Sequence, residues 1–277
     1  MDGLGNQLYQ YAFGQALRTM GSEVAYDVSW YTTNLQRIYS LDKFKIRVDI
    51  HSFLDQPIYT QKYVPELVPI DNINFAGFWQ ALKYHRIVLP QLKNEIYVRE
   101  ELYTDEFLDL KEKITKTKAV SFHVRRGDLI GDMFYAHHIL PAVYYKEALL
   151  MLQHTSFKNV YIFSDDLDWC KQNFEGATFV DLQDYLCFEL MRLCEYNVIS
   201  YSSYSHWAAC LNQNESKRVV YPNMLRWWKL SKEEQLRGKK LPVLLRKRIL
   251  KESYGDRNMR ISHRLLKGQI FNDWIAC

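Results

Sequence analysis

His123, Arg125 and Arg126 stand at the end of the apolar run "KAVSFHV", and Gly127 and Asp128 follow at once. An arginine carries a permanent charge and a planar fork of N–H donors that meets phosphate oxygens two at a time. Two guanidinium groups and an imidazole where a buried strand stops therefore suit an anionic ligand. Side chains alternate along an extended chain, so His123 and Arg125 share one side and Arg126 faces the other. Arg126 is expected to pair with a carboxylate that holds the loop, Asp128 being one candidate. The competing reading is a surface ion-pair cluster, which seldom follows a buried strand so directly.

Three further stretches carry chemistry. "GLGNQ" (residues 3–7) precedes a helical pattern, so its amides can face an anion at a helix N-terminus. "SYSSYS" (residues 200–205) offers hydroxyls and backbone N–H groups ahead of a helix, as a phosphate seat or as ordinary capping by Ser205. "SDDLDW" (residues 164–169) could hold Mg²⁺ on a nucleotide diphosphate, but helix capping is the favoured reading. No His cluster has zinc-ligand spacing in sequence, so no metal site is expected. Ser-His-Asp catalysis has no supporting spacing. The five cysteines form no CxxC pair, and their odd number points to free thiols in a reducing compartment.

The elements that must position these residues alternate between Lys118 and Pro222. "KAVSFHV", "NVYIF", "ATFVD", "NVIS" and "RVVYP" read as buried strands. "PAVYYKEALLMLQHT", "LDWCKQNF", "DYLCFELMRLCEY" and "SHWAACLNQ" read as helices between them. Such alternation implies parallel strands with crossover helices, a doubly wound Rossmann-like α/β domain. These sheets bind ligands at the carboxyl ends of their strands. "RRGD", "SDD" and "SYSSYS" end the first, second and fourth strands and so point to one rim. In the first half, "GLGNQLYQYAFGQALRTMG" reads as a helix ended by Gly21, "EVAYDVS" as a strand, and residues 31–76 as irregular. Only Met1 and Asp2 precede the glycine loop, so the first domain is expected to lack its lead-in strand. The expected division is a first domain over 1–115, a Rossmann-like domain over 116–228, and a basic tail over 229–277.

Composition bounds the rest. Apolar residues at 48% of 277 support a packed core and exclude a disordered chain. Between Arg226 and Lys267, 14 Lys/Arg face 4 Asp/Glu, a local +10; the chain's overall +4 leaves −6 for the rest. Such a tail suits an anionic surface, and "LPVLLRKRILKESYG" mixes Leu/Ile with Arg/Lys as interfacial helices do. A peripheral membrane contact is therefore expected, and a solvated helix packed on the body is the alternative. No signal peptide or membrane-spanning run is visible, so a cytoplasmic location at the inner membrane face is expected. Nucleic-acid binding is excluded, because no aromatic-interleaved recognition motif accompanies the charge.

Taken together, "GLGNQLYQYAFGQAL", "GFWQALKY", "VSFHVRRGD", "YYKEAL", "FSDDLDW", "LMRLCEYNVISYSSYSHWAACLN" and "VVYP" resemble the bacterial α-1,2-fucosyltransferases of glycosyltransferase family 11. The resemblance runs from residue 3 to about residue 228. It implies a GT-B-like α/β fold of two Rossmann-like domains facing a cleft. It further implies an inverting transfer of L-fucose from GDP-β-L-fucose to the 2-hydroxyl of a galactoside, with no cofactor or required metal. The acceptor would be a glycan or lipid-linked oligosaccharide. By position, Arg125 would bind the diphosphate, His123 would lie near the nucleoside, and Ser202 and Ser203 would hold the β-phosphate. Gly5 and Asn6 would face the donor across the cleft. Asp128 and Asp132 are the candidate bases. The chain departs from the family at Tyr201, usually Asn, at Tyr196, usually His, at His206, usually Trp, and at Cys187, usually an Asp that meets guanine. Asp184 and Glu189 are the nearby carboxylates that could replace it. These departures also admit a transferase for another nucleotide sugar, or a diverged or truncated relative without activity.

Overall fold

The computed structural model describes residues 3–33, 37–52, 58–60, 72–132, 138–223, 227 and 274–277. The first helix, α1 (Leu4–Thr19), begins inside the glycine stretch itself, with Gly3 as its N-cap. Leu8, Tyr9, Ala12 and Ala16 are almost fully buried, and Tyr11, Phe13 and Leu17 cover another side. A helix apolar on more than one face sits inside a molecule rather than on it. It stops at Gly21, where φ is +94°. There Ser22 N–H donates to Leu17 O and Gly21 N–H to Arg18 O, the paired bonds of a glycine-terminated helix.

The rest of the first half is helical or short. α2 (Trp30–Thr33) is a single turn, and β1 (Ile58–Thr60) and β2 (Asn74–Ala76) form a two-stranded parallel ladder. α3 (Leu82–Glu95) packs along α1 and carries Pro90 in its second half. α4 (Asp105–Thr115) starts at Thr104, whose hydroxyl accepts from Phe107 N–H at 3.2 Å. The strand expected over "EVAYDVS" is reduced to one bridge between Tyr26 and Ile50. The Tyr26 hydroxyl instead donates to Tyr11 O on α1 at 2.9 Å, and Arg18 holds Val24 O and Asp49. The segment is pinned to a helix and has one neighbour, so no ladder extends.

The second half alternates as its sequence predicts. β3 (Ala119–Val124) is followed by α5 (Ala142–Met151), β4 (Asn159–Ser164), α6 (Leu167–Asn173), β5 (Thr178–Val180) and α7 (Asp184–Leu193). Then come β6 (Tyr196–Val198), α8 (Ser203–Leu211) and β7 (Arg218–Tyr221). A last strand, β8 (Ile275–Ala276), closes the edge beside β7. The six strands are all parallel in the order β5-β4-β3-β6-β7-β8. The chain thus runs outward from β3 to β5, returns, and runs outward the other way from β6. In open parallel sheets the ligand crevice lies where such a reversal occurs, which here is between the carboxyl ends of β3 and β6.

Every residue of β3 is buried, as a strand covered on both faces must be. Val120, Phe122 and Val124 face the core under α5 and α6. Ala119 faces the other core, which joins Leu4, Leu8 and Tyr9 of α1 to Trp207, Ala208 and Leu211 of α8. Residues 274–277, the end of the expected tail, are built into the sheet: Cys277 O accepts from Asn223 N–H at 2.8 Å. Residues 228–273, with most of the basic segment, lie outside the described residues. Among the described residues no helix is long and apolar enough to cross a membrane. All five cysteines are buried and free.

Candidate active site

A side-chain contact joins the carboxyl ends of β3 and β6. His123 Nδ1, near the end of β3, lies 2.8 Å from the Ser200 hydroxyl, just beyond β6. The imidazole also packs on the Tyr204 ring, with centroids 5.2 Å apart. Burial, reinforced by the Arg125 charge, pulls His123 down to about 3. It is a neutral hydrogen-bonding group at physiological pH, not a proton carrier.

The two arginines separate as strand alternation requires. Arg125 meets Asp128 through a fork, Nη2 to Oδ2 at 2.9 Å and Nε to Oδ1 at 3.3 Å. The same Asp128 Oδ2 accepts from Arg37 Nη2 at 3.0 Å. Burial alone would raise this carboxyl, but the hydrogen bonds and charges of Arg125 and Arg37 hold it below its ordinary range. Arg126 turns to the other face. Its Nε donates to Asp166 at 2.9 Å, and its guanidinium lies 4.0 Å from the centre of the Trp169 ring. The Arg126 partner is therefore Asp166 and not Asp128, because Asp128 lies on the Arg125 side of the loop. Asp166 also caps α6, accepting from Trp169 N–H at 3.2 Å, so "SDD" is a capping stretch. Its neighbour Asp165 accepts from Arg126 N–H at 2.7 Å.

The N-termini of α1 and α8 meet at this rim. A Cβ on Gly5 would overlap the Tyr204 amide nitrogen and the Ser203 carbonyl carbon, so only glycine allows the approach. Ser202, not Ser205, caps α8: it accepts from Tyr204 N–H at 3.3 Å, and Ser205 lies inside the helix. The helix starts two residues earlier than the sequence suggests because Ser202 already has the extended backbone of a cap. Asn6 Oδ1 accepts from Gln80 Nε2 at 2.6 Å, which fixes the α1 terminus to the first half. Contacts therefore run unbroken from His123 through Ser200 to Ser202–Ser203 and on to Gly5. Asp132 ends the Arg125 loop, its N–H donating to Leu129 O.

α7 carries the residues weighed for the base contact. Cys187 is buried, its thiol donates to Leu182 O at 3.4 Å, and burial pushes it up to about 12. Glu189 is committed to Arg192 at 3.3 Å, both side chains 3% exposed. Arg192 in turn reaches Ile96 O and covers the Tyr97 ring at 4.2 Å. Asp184 opens α7, is raised by desolvation, and feels the opposing charges of Arg37 and Lys43. Sequence reasoning missed Arg37, Gln80 and Ser200. Arg37 lies in the irregular stretch with no local signal, whereas Ser200 was visible within "SYSSYS" and Gln80 within "GFWQALKY". Away from the arginines, His85, His206 and Cys210 gather their donor atoms within 4.8 Å.

The family model for glycosyl transferase family 11 matches residues 62–239. The chain belongs to this family. Among curated proteins, this family 11 chain is 26% identical over 261 residues to an alpha-1,2-colitosyltransferase of Escherichia coli, covering 79% of this chain and 88% of that protein. It is also 26% identical over 278 residues to the O-antigen biosynthesis glycosyltransferase WbnK of Escherichia coli, covering 79% and 91%. Among solved structures, a NodZ alpha-1,6-fucosyltransferase soaked with GDP-fucose matches half of this chain and 51% of its own, at 16% identity and a TM-score of 0.33. The chain is thus a glycosyltransferase of family 11.

Proposed function

We propose that this glycosyltransferase moves L-fucose from GDP-β-L-fucose to the 2-hydroxyl of a galactoside, with inversion to an α-1,2 linkage, in the synthesis of a surface glycan. The observation that carries the reading is Arg125, a forked guanidinium just past the end of β3 at the strand reversal. In this reading Arg125 meets the diphosphate, and Ser202 and Ser203 hold the β-phosphate at the α8 N-terminus. Gly5 and Asn6 face the donor from α1, and Asp184 answers the guanine edge in place of Cys187. Arg126 keeps the loop in place through Asp166.

The reaction joins the acceptor oxygen to the anomeric carbon as the bond from that carbon to the phosphate oxygen breaks. GDP leaves with the bonding electrons, and its growing charge is met by a cation already in position. That charge stabilisation asks for no divalent ion on the diphosphate. The acceptor proton goes to a carboxylate. Asp128, held low by two guanidinium groups, accepts a proton poorly. We therefore give Asp128 the task of orienting Arg125, and Asp132 that of base. The basic segment from Arg226 to Lys267 favours an anionic surface at the inner face of the membrane, where a lipid-linked acceptor would be met.

Calorimetric titration with GDP, with EDTA present and UDP as control, tests the donor. GDP-selective binding is expected; equal or better binding of UDP would sink the reading. Arg125→Ala should lower kcat by about 10²–10³-fold while leaving the fold intact. A second reading is favoured by Cys187 and by the relative named for colitosyl transfer. It keeps the site and changes the sugar to another GDP-linked deoxyhexose. Competition between GDP-fucose and GDP-colitose for one acceptor separates the two.

A further inference from the structure

Behind the candidate donor site, three helices bring four buried polar side chains together. His206 and Cys210 lie one turn apart on α8, with Nε2 and Sγ at 3.3 Å. His85 of α3 joins them: the three donor atoms lie within 4.8 Å of one another and all three residues are buried. Tyr9 of α1 stacks on His206 at 5.7 Å and meets His85 edge-on at 5.4 Å. Its hydroxyl has no hydrogen-bond partner although the residue is 1% exposed, and it interacts electrostatically with Cys210. Trp207 and Trp274 wall the pocket, at 5.1 Å from His85 and 5.2 Å from His206. Buried polar groups are almost always satisfied, so an orphan hydroxyl beside two imidazoles and a thiol asks for a partner.

We propose that His85, His206, Cys210 and Tyr9 form a structural site for one divalent transition-metal ion, zinc by donor chemistry, that ties α3 and α8 to α1. Imidazole nitrogen and thiolate sulfur are the zinc-selecting donors, and closed structural sites are four-coordinate. Ligands bound at roughly 2.0–2.3 Å to one tetrahedral ion stand roughly 3.3–3.8 Å apart. The Cys210–His206 pair already has that spacing, and His85 offers its donor atom within 4.8 Å of both. Burial keeps both imidazoles neutral, which is the ligating form. A divalent ion with one thiolate would leave a net charge in an apolar pocket. Tyr9, deprotonated on the metal, neutralises it, so binding releases one proton from the thiol and one from the phenol. Tyr9 stands one turn beyond Gly5, and His206 one turn beyond Ser202. The ion would therefore hold the two helix N-termini together from behind without touching the donor, and the assignment does not depend on which sugar is transferred.

The full chain, stripped with a chelator and shown to be folded by circular dichroism, is titrated with Co²⁺. One equivalent should give tetrahedral d–d bands with a thiolate-to-cobalt charge-transfer band, bleached by one equivalent of Zn²⁺. Zn²⁺ should raise the melting temperature, and about two protons should appear in weakly buffered solution per ion bound. Cys210→Ser should lose the charge-transfer band, His85→Gln should lose tight binding, and Cys170→Ser, buried elsewhere, should keep both. Absence of the charge-transfer band in the folded wild type overturns the site, with no variant needed. Its survival in Cys210→Ser also overturns it, by placing the metal on another thiol.

Discussion

Asp128 is the carboxylate on which Arg125 and Arg37 converge, one arginine from the strand loop and one from the first half. A diphosphate drawn to the same guanidinium groups meets a fixed negative charge beside it. Asp128→Asn removes that charge and keeps the shape. It is expected to tighten GDP binding about tenfold at low salt, and calorimetry of the two proteins checks it. If Asp128 were instead the proton acceptor, transfer would vanish whatever the change in GDP affinity. The sidedness of these residues was legible in sequence: alternation along β3 assigns His123 and Arg125 to one face and Arg126 to the other. Their partners were not. Asp166 and Arg37 come from 40 and 91 positions away from Arg126 and Asp128: the order of strands brings in the first, and a loop of the first half brings in the second.

At the scale of the element, the α1–α8 contact is the sharpest constraint. A methyl on Gly5 runs into backbone of α8, which cannot rotate away, whereas one on Gly14 meets the outer end of the Tyr26 side chain. Gly5→Ala is therefore expected to cost about 1–3 kcal/mol and more than Gly14→Ala, with GDP binding weakened only in the former. Urea denaturation and calorimetry on both variants check it. α6 offers a second test. Asp166→Ala removes both the cap and the Arg126 partner and should cost about 2 kcal/mol. Asp166→Asn keeps capping and should recover about half, as read by thermal unfolding. Element existence was readable from Lys118 to Pro222, because buried parallel strands are short apolar runs flanked by cap residues. α3 was hidden by Pro90, which it carries without stopping, although Thr104 and the acidic start of α4 were a signal in plain view. "EVAYDVS" has strand composition but, among the described residues, a single bridge partner, so composition misled.

For the whole molecule, buried histidines set the response to acid. Burial lowers His85 to about 4 and His123 to about 3, and His206 falls well below its ordinary value. Unfolding returns each to about 6.5. Between those limits the unfolded chain binds more protons, so stability is lost as pH falls below about 6.5. Asp184 and the buried Glu189, both raised by desolvation, act in the opposite direction above the ordinary carboxylate range. Comparing wild type with His123→Gln isolates one histidine: on going from about pH 7.5 to about pH 5.5, the variant should lose about 1 kcal/mol less in urea unfolding with EDTA present. The shared core has a meaning for motion as well. Lobes that meet across a small, polar interface swing as hinges. Here swinging would strip Leu4, Leu8 and Tyr9 away from Trp207 and Leu211, all almost fully buried in one cluster. Small-angle scattering should give the same radius of gyration with and without GDP. An unchanged radius would mean that ligands enter past moving side chains rather than between opening jaws.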